Sequence, residues 1–83
     1  MLYRGISYEK VHDYQKAIEY FEQSIHCDPK YEKAYSRLII NYCKVGELAK
    51  AIELYHKANQ LFPESNLLNQ AKQKLEKTLL NLE

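Results

Sequence analysis

Between Tyr31 and Lys44 the chain reads YEKAYSRLIINYCK, and its apolar positions recur with a helical period. Ala34, Tyr35, Leu38, Ile39 and Tyr42 fall at the three- and four-residue spacings that build one buried stripe. Near the other end Leu68, Ala71, Leu75, Leu79 and Leu82 recur at spacings of 3, 4, 4 and 3, and polar residues such as Gln70, Lys72 and Glu76 cover the rest. With two glycines and two prolines in 83 residues there is little punctuation, which favours helices joined by short turns. Helices are predicted over about 1–11, 14–27, 31–44, 48–61 and 65–82.

The helix over 31–44 carries a second pattern. Lys33, Arg37 and Lys44 stand at i, i+4 and i+11. At 100° per residue these offsets fall within about 40° of one another. One helix therefore presents an apolar stripe to a core and a cationic stripe to something else.

Sliding the chain against itself by 34 residues gives nine identities in the first 29 pairs. Ile6 pairs with Ile40, Tyr8 with Tyr42, Lys10 with Lys44, Ala17 with Ala51, and Pro29 with Pro63. A fixed period of this length with helix–turn–helix content is the signature of a solenoid-type repeat. Small Ala17 and Ala51 let the second helix of each pair approach the first, beside Tyr8 and Tyr42. Gly46 suits a tight turn that needs positive φ. His12 stands at the matching place upstream, where such a turn is less favourable. Pro29 and Pro63 separate one pair from the next.

Tyr42, Gly46, Ala51, Tyr55, Ala58 and Pro63 resemble the tetratricopeptide signature, with Tyr8, Ala17, Phe21 and Pro29 repeating it upstream. The resemblance implies an all-α helix–turn–helix array of two repeats plus a C-terminal capping helix. Its divisions are 1–29, an N-terminally truncated repeat, 30–63, a full repeat, and 64–83, the cap. Two repeats fall below the three that normally make a stable array. The chain is therefore expected to be a piece of a longer protein or to self-associate.

In this family the first helix of each pair lines a concave face. Lys33, Arg37, Ile40 and Lys44 would stand there on one helix, with Tyr3, Ile6 and Lys10 on the helix before it. For Tyr3 packing is the first expectation and a ligand contact the second. Lys33 and Arg37 in YEKAYSRL match the lysine and arginine of the carboxylate clamp in co-chaperone tetratricopeptide domains, which hold acidic C-terminal peptides of heat-shock chaperones. YRGISY and AKQKLEKTLLNLE resemble segments of the small glutamine-rich tetratricopeptide co-chaperones. Tyr3 stands at the clamp asparagine position, and two of the five clamp positions are matched. The resemblance thus implies a peptide-binding adaptor, with a self-associating assembly fragment as the alternative.

Composition narrows the classes. Twelve Lys+Arg against eleven Asp+Glu give a net charge of +1, which argues against a nucleic acid or membrane partner. No apolar run approaches the roughly 18 residues of a membrane span. Cys27 and Cys43 lack CxxC spacing and are expected to be reduced, buried thiols of a cytoplasmic protein. His12, His26 and His56 form no ligand triad. No phosphate loop or nucleophile motif appears, so neither an enzyme nor a cofactor is expected. The truncated first helix should leave Leu2 and Ile6 uncovered, and Leu79, Leu80 and Leu82 should overhang the last. Those two edges together predict a homodimer in equilibrium with monomer.

Overall fold

The computed structural model describes residues 2–81, and in them the expected helices form with small changes at their ends. They are α1 (Leu2–Lys10), α2 (Tyr14–Cys27), α3 (Glu32–Lys44), α4 (Leu48–Leu61) and α5 (Asn66–Leu80). No strand occurs among the described residues. Helix ends follow local chemistry. Asp13 accepts from Lys16 N at 3.3 Å to start α2, and Ser65 accepts from Leu68 N at 3.1 Å to start α5.

The two intra-repeat turns are copies of one another. His12 has φ 64° and Gly46 φ 80°. Asp13 N donates to Tyr8 O at 2.9 Å in the first, and Glu47 N donates to Tyr42 O at 2.9 Å in the second. The turn upstream is therefore built as the second one is, with a β-carbon where glycine is easier. His12 Nδ1 and the Tyr14 hydroxyl share a hydrogen bond of 2.7 Å that partly offsets this strain.

The five apolar residues of α3 singled out by spacing are all buried. The helix sits at the centre, packed against α2, α4 and α5. Tyr35 donates to Pro29 O at 2.7 Å, and its ring meets Phe62 edge-on with centroids 5.7 Å apart. Tyr42 donates to Glu22 Oε2 of α2 at 2.8 Å. Burial first, then the Glu22 contact, pushes the Tyr42 hydroxyl well above the usual tyrosine range. Ala17, Ala51 and Ala58 are sealed, as their small size allows. Gly5 makes the closest approach, because a β-carbon there would stand 2.6 Å from the Phe21 ring.

Four expectations need correction. Leu2 is buried in the shared core cluster with residues such as Phe21, and Ile6 is half-buried against that cluster. Cys27 is exposed while Cys43 is buried. Cys27 closes α2 on the rim of a shallow depression shared with Leu2 and Tyr31, and nothing packs over it. Tyr3 is 78% exposed and does not pack. The last helix has 15 residues, about 22 Å at the usual rise, and so barely outreaches α4. Leu79 and Leu80 at its end are exposed, and Leu82 lies outside the described residues.

Candidate functional site

The cationic stripe begins with helix rotation. The apolar face of α3 is turned into the core, so Lys33 and Lys44 are left exposed and Arg37 and Ile40 half-buried. On α1 the same rotation leaves Tyr3 and Lys10 exposed and Ile6 half-buried against the core. Each isoleucine is thus half-buried on its own helix, beside lysines that are exposed.

Arg37 is not free on this surface. Its Nη1 lies 3.4 Å from Glu9 Oε1 of α1. Asn41 Nδ2 donates to the other oxygen, Glu9 Oε2, at 3.0 Å and also to Arg37 O at 2.8 Å. Both partners of that nitrogen are acceptors, which assigns the orientation of the amide. Asn41 is fully buried, and its Oδ1 has no partner. Glu9 therefore joins the two repeats with a carboxylate held by an arginine and an amide, in the way a ligand carboxylate would be held. Its side chain is 16% exposed.

A second grouping lies where α3 meets α5. Cys43 and Lys44 end α3, and Lys74 and Thr78 lie on α5, whose Thr78 hydroxyl donates to Lys74 O at 2.9 Å. Burial raises the Cys43 thiol above its ordinary range despite Thr78 and the nearby lysines. The Lys44 ammonium is the main cause holding that of Lys74 below the usual lysine range.

Of the seven residues expected at the site, Lys33, Arg37, Ile40 and Lys44 share one side of α3, and Tyr3, Ile6 and Lys10 lie on α1. Glu9, Asn41 and Lys74 are the members missed. Asn41 was a visible anomaly, a polar residue inside a buried run. Lys74 stands 34 residues after Ile40 and could have been placed by register. Nothing local marks Glu9 as the partner of Arg37. Elsewhere a depression of about 520 Å³ lies along α2, lined by Glu19, Glu22, Gln23, His26 and Cys27. Its two carboxylates give it the opposite charge character.

The tetratricopeptide repeat model matches residues 10–75. Compared with curated proteins, the chain has no match.

Proposed function

Because the chain belongs to the tetratricopeptide repeat family and is a protein–protein interaction module, we propose that it serves a co-chaperone-like adaptor by binding an acidic C-terminal peptide of a heat-shock chaperone. The observation that carries this reading is the arrangement on α3. Lys33, Arg37 and Lys44 share the side of the helix turned away from the core, with half-buried Ile40 between them. An arginine fork and a lysine point charge suit a terminal carboxylate beside an acidic side chain. Ile6 and Ile40 accept an apolar side chain, and Tyr3 and Lys10 border the path on α1.

The Glu9 contact sets the terms of binding. A ligand carboxylate reaches Arg37 by competing with, or sharing, a carboxylate already present. Weak, salt-sensitive binding follows, because the cations face solvent. Titrating a Glu-Glu-Val-Asp peptide by calorimetry tests the proposal. Arg37→Ala and Lys33→Ala should each weaken binding by about 1–3 kcal/mol. No heat at millimolar peptide would remove the adaptor reading for this chain.

Self-association is the second reading, supported by exposed Leu79 and Leu80 at the end of α5. Analytical ultracentrifugation over a hundredfold concentration range tests it, and a single monomeric species throughout rejects it.

A further inference from the structure

Glu9 is held as a visiting carboxylate would be. One of its oxygens, Oε1, meets Arg37 Nη1 at 3.4 Å, and the other, Oε2, accepts from Asn41 Nδ2 at 3.0 Å. The two oxygens of one planar group are thus divided between a cationic and a neutral donor. The cationic half of this grip is the looser one. Charge-assisted contacts of this kind close to about 2.7–2.9 Å, so the arginine contact is long. It is made through Nη1, one nitrogen of a guanidinium built to donate as a fork. Arg37 also keeps 40% of its side chain exposed. A second carboxylate can therefore reach it from solvent.

Asn41 supplies the other half, at a cost. It is fully buried, and its Oδ1 has no hydrogen-bond partner, while Nδ2 donates both to Glu9 and to Arg37 O at 2.8 Å. Inverting the amide would set its oxygen against two acceptors. A buried acceptor is left unsatisfied so that a donor can stay on the carboxylate. The repeat itself does not demand asparagine here. Ser7 stands 34 residues earlier and donates to Tyr3 O at 3.0 Å, the same four-residue back-bond that Asn41 makes to Arg37 O. What asparagine adds to serine is the second N–H, the one that meets Glu9. Glu9 is the penultimate residue of α1, on a flexible side chain 16% exposed, and can swing outward.

We propose that Glu9 is the internal occupant of a carboxylate site made by Arg37 and Asn41, and that an acidic group of the bound peptide takes its place, with Asn41 Nδ2 donating to the ligand. This inference rests on the peptide-binding reading. It makes the ligand displace Glu9 rather than share Arg37 with it, and it adds a buried neutral residue that the clamp resemblance does not supply.

NMR of the side-chain amides tests it in the unaltered chain. A Glu-Glu-Val-Asp peptide should shift the Asn41 amide more than that of Asn59, which is exposed on α4. Calorimetry on variants gives a second readout. Asn41→Ser retains a hydroxyl for the back-bond and loses the second donor. Introduced into Glu9→Gln, it should weaken peptide binding about tenfold. If Asn41 serves only to hold Glu9, affinity in that background stays unchanged. That result, or an Asn41 amide that moves no more than that of Asn59, overturns the proposal. If neither wild type nor Glu9→Gln binds the peptide, the peptide reading fails by itself. The carboxylate site is then decided by titrating Glu9→Ala and wild type with sodium acetate, against sodium chloride at equal ionic strength. A saturating acetate shift of the Asn41 amide confined to Glu9→Ala supports the site, and the same response in both proteins overturns it.

Discussion

Glu9 on α1 and Arg37 on α3 stand 28 residues apart in the chain and 3.4 Å apart in space. The contact joins the two repeats and at the same time engages the arginine that an acidic ligand would seek. Glu9→Gln keeps an acceptor for Asn41 and removes the charge that holds Arg37. Affinity for a Glu-Glu-Val-Asp peptide should rise about three- to tenfold, as expected for releasing a partly exposed ion pair. Stability should fall by no more than about 1 kcal/mol. Peptide titration and a thermal melt of the same sample measure both. Unchanged affinity, with wild-type binding intact, would show that Arg37 takes no part.

The shared geometry of the two turns gives a second expectation. At φ 64° His12 strains where Gly46 does not. His12→Gly should raise stability by up to about 1 kcal/mol, less the loss of the Tyr14 hydrogen bond. His12→Val should lower it, since a branched β-carbon tolerates positive φ poorly. Chemical denaturation of the pair ranks them. A valine variant as stable as the glycine one would mean the turn relaxes away from positive φ.

Gly5 lies against the Phe21 ring, and a methyl there would have to displace it. Gly5→Ala should cost about 1–3 kcal/mol by overpacking, even though alanine is the better helix former. Trimming the ring with Phe21→Leu in the Gly5→Ala background should cost less than it does in wild type. Additive losses in that double-mutant cycle would place the strain elsewhere.

The hydroxyls of Tyr35 and Tyr42 are both raised, chiefly by burial. The unfolded chain releases tyrosine protons near about pH 10, while the folded chain retains these two. Their contribution is therefore fully present below about pH 10 and is lost as pH rises through the higher folded values. Urea midpoints should hold steady from neutral pH to about pH 9 and fall steeply above about pH 10. Tyr42→Phe should flatten that fall. An equally steep decline in Tyr42→Phe would assign the alkaline loss to other groups.

The two thiols should separate kinetically. Cys27 is open to solvent, whereas burial both hides Cys43 and raises its pKa. A thiol-reactive dye should label one cysteine quickly and the second only as the fold opens. Mass spectrometry of the early product should place the label on Cys27. Equal labelling of both would contradict the packing of α3 against α5.

Much of this was legible from periodicity. The 34-residue offset located both turns, and the spacing in YEKAYSRLIINYCK selected five of the eight buried residues of α3. What escaped depends on how helices sit against one another. Glu9 meets Arg37 only because α1 and α3 adopt one mutual rotation, which no local pattern encodes. Leu2 looked uncovered when α1 was judged by its length, yet the core closes over it. Cys27 looked buried because its composition is apolar, but it ends α2 where no neighbour reaches. Lys74 stands among the polar residues of the cap, although its register matches that of Ile40.

Ser36 donates to Leu67 O at 2.9 Å, and Ser65 donates to Glu32 Oε1, so the start of α3 is tethered to the start of α5 by side-chain hydrogen bonds. Beyond the serines the contact is apolar: Cys43 on α3 and Ala71 and Leu75 on α5 belong to one buried core cluster. Apolar burial is non-directional, so the two serine hydrogen bonds are what fix the register in which the capping helix lies against the central one.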